Sequence, residues 1–345
     1  MKLRTPAAFR ACAVLGLLFT TFFRIDAAEK ELTLYTQRHY AFDEELHEMF
    51  EEDTGIEINV VKANADELIA RLQEEGKNTP ADLFMTADGG TLSRAQDADL
   101  LQPVSSREIL RRVPESLRDP DGHWVAVTKR VRVVAYAKDR VEPEELSTYE
   151  ALADPKWRGR VLARSSSNIY NQSLMTTLIA ANGVEEAEKW AAGVRRNMAR
   201  PPQGSDRDQV RAVAAGLADV ALVNTYYIGL LETSEDRKDR DAAAAVKVFF
   251  PNQEGRGAHV NVSGIGIVKA SDQPELAAKF IEFLLTDKVQ SMIPQATFEY
   301  PVVESAKWSD MQESWGKFKA DDVPLSKLGE LNAEAVRIFN RAGWE

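Results

Sequence analysis

Two adjacent tyrosines, Tyr226 and Tyr227, follow the predicted end of a buried strand. Residues 219–223 are apolar enough for such a strand, and residues 209–215 before them have helical spacing. In open α/β sheets ligands collect beyond the carboxyl ends of strands, so both phenols are candidate ligand groups. For two adjacent tyrosines considered by themselves, the alternative to ligand binding is packing in the core. Further tyrosines in equivalent places would favour the ligand interpretation.

His39, Tyr40 and Tyr170 occupy equivalent places. Residues 32–35 predict a first strand and residues 42–53 the helix after it, so His39 and Tyr40 lie between a strand end and a helix start. Tyr170 lies in the predicted first turn of a helix over residues 169–181. Free N–H groups and the helix dipole favour an anion there, which makes a phenol easier to ionise.

Clustered phenols with a histidine and without thiols suit a hard, highly charged cation. Thiolates favour copper(I) or zinc, whereas carboxylates and carbonyls suit calcium or magnesium. Ferric iron is the natural match for phenolate oxygen. Because tyrosine ordinarily has a pKa of about 10, its ionisation at neutral pH requires a strong cation nearby. The metal and the phenolates must therefore assemble together.

The charge of such a site indicates what else it needs. Roughly four phenolates around a trivalent ion leave one net negative charge, with neutral His39 as a further donor. Another anion would add like charge to a buried site, so we expect no synergistic anion. An arginine would offset the excess instead. Arg38 and Arg130 are the candidates for this supporting role, with a solvated surface position as the alternative for each.

The first 28 residues have the layout of a secretory signal peptide: a positively charged start, an apolar run over residues 11–23 and small residues at the end. The apolar run is shorter than the roughly 20 residues that a membrane span needs. We therefore expect export to the periplasm and no stable membrane insertion. Cys12 is the only cysteine and lies in this segment, so the mature chain would have no thiol.

Length and charge bound the class of protein. With 345 residues the chain is long enough for two domains, and 44% hydrophobic with 28% charged residues is ordinary for a soluble globular protein. Residues 1–28 carry four positive side chains and one negative, so their removal changes the net charge from −11 to −14. That charge argues against binding to nucleic acid or to an anionic membrane.

The order of the predicted elements indicates an α/β protein. Strands over residues 56–61 and 82–86 enclose a helix over 65–75, which implies a mainly parallel sheet covered by helices. Residues 124–137 and 260–268 form two long extended stretches, the second containing two glycines. They predict either a hinge between two lobes or two ordinary strands of one sheet, and their spacing alone does not distinguish these two alternatives.

Common catalytic signatures are absent from the sequence. H-E-x-x-H, G-x-x-x-x-G-K-[ST], G-x-G-x-x-G and G-x-S-x-G do not occur, and no nucleophile stands beside a base. We therefore expect that the protein is not an enzyme.

Nearly end to end, the mature chain resembles the ferric iron-binding periplasmic proteins of iron(III) ABC importers, in the FutA-like branch of the bacterial transferrin-like family. The stretches that carry the resemblance are residues 35–40 (YTQRHY), 65–72 (ADELIARL), 154–160 (DPKWRGR), 164–174 (RSSSNIYNQSL), 199–216 (ARPPQGSDRDQVRAVAAG), 224–227 (NTYY) and 249–264 (FFPNQEGRGAHVNVSG). The resemblance implies a two-lobed periplasmic binding protein type II fold with mixed sheets and a two-strand hinge. Its lobes would be discontinuous, with residues 29–130 and 260–305 in lobe one and residues 131–259 and 306–345 in lobe two.

The resemblance also implies the ligand set. Iron would lie in the interlobe cleft on Tyr40, Tyr170, Tyr226 and Tyr227, usually with His39. Some members of the family complete the coordination of iron with a histidine and a glutamate plus phosphate, and others with tyrosines and carbonate. The R-H-Y version of this chain resembles the kind that needs no anion.

We therefore expect a monomeric periplasmic protein that captures ferric iron as cargo and delivers it to an ABC permease and its ATPase. One alternative keeps the fold but binds an organic solute such as a polyamine or thiamine, and it predicts no colour with iron. Another is an exported enzyme that uses a tyrosine as acid or base, and it predicts turnover of a substrate.

Overall fold

The computed structural model describes residues 30–345, and the predicted signal peptide lies outside them. Ten strands occur in this range: β1 Lys30–Thr36, β2 Ile56–Lys62, β3 Leu83–Thr86, β4 Leu101–Gln102, β5 Val125–Ala137, β6 Val161–Leu162, β7 Val220–Asn224, β8 Val246–Phe249, β9 Val260–Val268 and β10 Tyr300–Pro301. The strands predicted from alternation and apolar runs lie within one or two residues of these bounds.

The same range contains fourteen α-helices. They are α1 Ala41–Thr54, α2 Ala65–Glu75, α3 Gly89–Asp97, α4 Arg107–Arg112, α5 Ile169–Asn182, α6 Val184–Asn197, α7 Asp206–Ala214, α8 Thr225–Glu232, α9 Arg237–Ala244, α10 Pro274–Leu284, α11 Asp287–Thr297, α12 Asp310–Trp315, α13 Ser326–Glu330 and α14 Asn332–Ala342. Within residues 30–345 no helix is both long and apolar enough to cross a membrane.

Local chemistry sets several helix ends. Asn64 accepts a hydrogen bond from the Glu67 amide and begins α2, and Ser205 does the same for the Asp208 amide at α7. Gly55 ends α1 with φ of 69°, a left-handed conformation that favours glycine.

The strands form a mixed sheet in the order β2-β1-β3-β9-β5-β7-β6. Strand β1 pairs in parallel with β2 and β3, whereas β9 pairs antiparallel with both β3 and β5. Strand β5 pairs with β9 over its first half and with β7 over its second. The predicted α/β class with mixed sheets is confirmed.

Buried apolar residues form one large cluster at one end of the sheet and two at the other. We call the first cluster, which includes Leu32, Phe84 and Ile265, the first core. We call the other two, which cover opposite faces of β5 and β7, the second core. Strand β5 contributes Val127 to the first core and Val133 to the second. The two extended stretches are therefore neighbouring strands of one sheet that also run from one core to the other.

The C-terminal stretch contacts both cores. Leu325 and Leu328 pack in the first core, whereas Ile338, Phe339 and Trp344 pack in the second. Residues 306–345 were predicted to belong to lobe two alone. The division into two lobes stays a prediction, and a third segment besides β5 and β9 connects the two cores.

A buried histidine in the second half of the molecule gives a test of stability against pH. His259 is 3% exposed, and its Nδ1 lies 2.8 Å from Thr177 Oγ1. Burial, reinforced by Arg256 and Arg132, lowers the pKa of His259 from 6.5 to about 3. Its contribution to stability is therefore complete above pH 6.5 and is lost as the pH falls from 6.5 towards 3.

In that window the unfolded chain binds the extra proton, so His259 contributes a slope of at most about 1.4 kcal/mol per pH unit. We expect His259→Gln to remove this slope. Urea unfolding of both metal-free proteins at pH 7 and pH 5 measures it. An equal difference between the two proteins at both pH values would contradict the assignment.

Candidate functional site

The predicted site residues line one cavity of about 120 Å³ between the two cores. Its walls include His39, Tyr40, Tyr170, Tyr226 and Tyr227. A water molecule in the liquid occupies about 30 Å³, so the cavity has room for an ion with a few small ligands.

Each tyrosine stands at the edge position that the sequence predicted. Tyr40 is the N-cap of α1 and Tyr170 is the second residue of α5. Tyr226 and Tyr227 lie in the first turn of α8, directly after β7 ends at Asn224. The helix α8 was not predicted, because it contains only eight residues.

Three phenols from the second-core side already touch one another. The Tyr226 hydroxyl donates to the Tyr170 oxygen at 3.0 Å. The ring centroids of Tyr226 and Tyr227 are 4.2 Å apart, and those of Tyr170 and Tyr227 are 6.4 Å apart. Because the rings come from two helices, the structure supplies a preformed group of phenol oxygens on one wall of the cavity.

Tyr40 and His39 form the opposite wall. Their rings stack with centroids 5.9 Å apart, and His39 is exposed at the mouth of the cavity. The His39 Nδ1 lies 3.4 Å from the carbonyl oxygen of Gln37. Ligation by His39 stays a prediction.

A buried carboxylate behind Tyr40 organises this wall. Glu299 is fully buried and accepts hydrogen bonds from the hydroxyls of Tyr40 at 3.0 Å and Thr128 at 2.5 Å. Its oxygens also lie 3.1 Å from Arg38 Nη1 and 3.4 Å from Arg130 Nη2. Glu299 therefore connects a candidate ligand to strand β5 and to two arginines.

Both predicted supporting arginines are buried beside the site. Arg38 also pairs with Asp43 at 2.8 Å, and its guanidinium carbon lies 4.8 Å from the Tyr40 ring centroid. The Arg130 guanidinium carbon lies 5.9 Å from the ring centroids of both Tyr170 and Tyr226. The solvated surface alternative is therefore wrong for both, while their role towards a metal stays a prediction.

Arg207 and Glu299 were missed by the sequence analysis. Arg207 lines the cavity, and its guanidinium carbon lies 5.8 Å from the Tyr227 ring centroid. Its buried Nε has no hydrogen-bond partner among residues 30–345. No local pattern distinguishes either residue from the many other charged residues of the chain.

Burial favours the protonated form of Tyr40, Tyr226 and Tyr227 in the metal-free protein. Burial, followed by the charge of Glu299, raises the pKa of Tyr40 well above its usual value. Burial, followed by the neighbouring Tyr170, does the same for the pKa of Tyr226, and burial raises the pKa of Tyr227 to about 12. A cation strong enough to displace these protons is therefore needed before the group can act as phenolates.

A second, larger cavity of about 840 Å³ adjoins the first. It shares Gln37, Arg38 and His39 with the phenol cavity, and most of its other lining residues are polar. The larger cavity therefore borders the phenol cavity on the side of His39.

Comparison with known proteins places the chain among binding proteins for solutes. Residues 78–322 match the family model described as bacterial extracellular solute-binding protein. The chain is 50% identical over 317 residues to iron uptake protein A1 of Synechocystis sp., covering 92% of this chain and 88% of that protein.

Solved structures agree with this similarity. The Trichodesmium protein IdiA, or FutA, in complex with iron and citrate ligands superimposes with a TM-score of 0.88 at 46% identity, covering 91% of this chain and 100% of that chain. The ferric binding protein from Campylobacter jejuni gives a TM-score of 0.86 at 42% identity, covering 91% of this chain and 100% of that chain.

Proposed function

This chain belongs to the bacterial extracellular solute-binding proteins, in their FutA-like ferric iron-binding branch, and from that premise we propose that it captures ferric iron in the periplasm through tyrosine phenolates and delivers it to an ABC permease. The observation that carries the proposal is the convergence of Tyr40, Tyr170, Tyr226 and Tyr227 on one small cavity. These residues come from three separate helix starts, so packing of a single element does not account for it.

Capture couples ligation to closure of the two lobes. Tyr170, Tyr226 and Tyr227 form a first half-site on the second-core side, where their rings are already in contact. An ion bound to these three phenols is coordinated by Tyr40 only after the opposite wall has approached. The same holds for His39 in a site where His39 is a ligand. Because the ion binds the closed form better than the open form, it shifts the population towards closure.

No anion is needed to complete this site. Arg207 flanks Tyr227 and offsets the single excess negative charge that roughly four phenolates leave on a trivalent ion, whereas Arg130 is already paired with Glu299. The adjoining 840 Å³ cavity favours a second possibility, in which iron enters with a small polycarboxylate such as citrate still attached. Equilibrium dialysis with labelled citrate and iron separates the two, because only the second retains citrate with the protein.

The organic-solute alternative receives no support from the cavity. Polyamines and thiamine are cations that cannot displace the phenol protons, so they would meet uncharged phenols beside the positive charges of Arg130 and Arg207. The expectation that the protein is not an enzyme, the monomeric state and the permease with its ATPase stay predictions.

A titration of the mature protein with ferric citrate tests the proposal. We expect a visible phenolate-to-iron charge-transfer band that saturates at one iron per chain. The control is an equal titration with gallium(III), a trivalent ion without this transition, which should compete with iron but give no colour. A colourless protein after addition of excess iron would overturn the proposal.

A further inference from the structure

The carboxamide of Asn261 lies where the two cores meet, outside the proposed ligand set. Asn261 is 3% exposed on β9, one of the strands that run from one core to the other. Its Oδ1 accepts from the backbone amides of Gly89 at 3.0 Å and Val262 at 2.7 Å. These two donors determine which way the carboxamide is turned, so that its Nδ2 faces the other side.

The Nδ2 group joins one element of each core. It donates to Asp88 Oδ1 at 2.7 Å and to Ser173 Oγ at 2.8 Å. Asp88 is the N-cap of α3, and Ser173 lies in α5. Both are 2% exposed, so solvent does not compete for these hydrogen bonds.

This group of three side chains is tied to the phenol cavity on both sides. Ser173 is three residues after Tyr170 on α5, so the two lie on the same face of the helix. Ala87, next to Asp88, lines the cavity, and its carbonyl oxygen accepts from Arg130 Nη1 at 2.9 Å. A shift of α5 relative to α3 therefore moves the Tyr170 oxygen relative to the opposite wall.

We infer that Asn261 is a positioning residue for iron binding: its carboxamide holds α5 against the start of α3 and so sets where the Tyr170 oxygen stands in the cavity. The inference rests on the proposed function. Asn261 touches none of the proposed ligands and acts through the helix that carries one of them.

A swap of Asn261 and Asp88 tests this role. Asn261→Asp places two carboxylates against each other, and Asp88→Asn places two amides there while keeping a good N-cap for α3. The double variant D88N/N261D restores one donor and one acceptor at unchanged net charge. Supporting partners of metal ligands change affinity about 10- to 100-fold, and we expect each single variant to bind iron about tenfold more weakly and the double variant to recover most of that loss.

Iron affinity is measured by competition with citrate, and the wavelength of the charge-transfer band is recorded at a temperature where every variant is folded. Asn340→Asp is the matched control, because Asn340 is exposed on α14. Single variants with unchanged iron affinity and an unchanged band would overturn the inference. A double variant that binds iron no more tightly than the weaker-binding of the two single variants would also overturn it. Should N261D fail to fold, Ser173→Ala carries the same expectation, with a loss of about threefold.

Backgrounds that lack one phenol distinguish positioning from a general structural effect. We expect Asn261→Asp to cost less affinity in a Tyr170→Phe background than in a Tyr227→Phe background, because coupled residues are not additive. Equal costs in both backgrounds would overturn the inference. If the unaltered protein gave no band, the proposed function would be overturned as well. If the unaltered protein gave a normal band and the Asn261 variants bound iron as tightly as it does, this inference alone would be overturned.

Discussion

Replacing Tyr226 and Tyr227 together by phenylalanine is expected to abolish the iron-dependent visible band and to weaken ferric iron binding by more than about a hundredfold. Loss of a group that only supports a metal ligand already costs about 10- to 100-fold, and this variant loses two candidate direct ligands. Phenylalanine keeps the rings, whose centroids are 4.2 Å apart, so the packing of α8 is retained. The measurement is the ferric citrate titration, with affinity taken from competition.

Tyr300→Phe is the matched control for that variant. Tyr300 is fully buried at the start of β10, and its hydroxyl has no hydrogen-bond partner among the described residues. Removal of an unsatisfied buried hydroxyl is neutral or stabilising, so this variant should bind iron normally. A band of normal intensity in the Tyr226→Phe/Tyr227→Phe protein would show that the phenolates lie elsewhere.

Glu299→Gln is expected to destabilise the metal-free protein by about 3–5 kcal/mol, because removing one partner from a buried ion pair leaves charge uncompensated. Burial by itself would raise the pKa of Glu299, but Arg130 and Arg38 outweigh it and hold that pKa below its usual value. Arg38 keeps Asp43 as a partner, whereas Arg130 loses its only carboxylate within the described part of the chain. The free energy of unfolding in urea at pH 7 measures the effect.

Glu304→Gln serves as the control for this change. It removes the same charge five residues further along, at an exposed position, where substitutions usually alter stability by less than about 0.5 kcal/mol. Equal unfolding free energies for the two variants would contradict the view that Glu299 organises the wall behind Tyr40.

Local patterns determined most of the elements. Helix α2 was predicted over residues 65–75 and has those bounds, because its apolar spacing and its cap at Asn64 are both encoded within a dozen residues. The family was likewise accessible, because long stretches such as residues 199–216 and 249–264 resemble those of its members. The tyrosines were found because they follow strand ends that the apolar runs mark. The helix α8 escaped prediction because its eight residues, TYYIGLLE, give too little periodicity to separate it from the end of β7.

Sequence alone thus placed Tyr40, Tyr170, Tyr226 and Tyr227 at sheet edges, because alternation and helical spacing are local properties of the chain. Only the tertiary structure decided which distant polar and charged side chains meet beside them. Glu299 meets Arg38 across 261 residues of chain, and Asn261 meets Asp88 across 173. Such pairs are selected by the packing of whole elements, and no pattern within a short window carries information about a partner that far away.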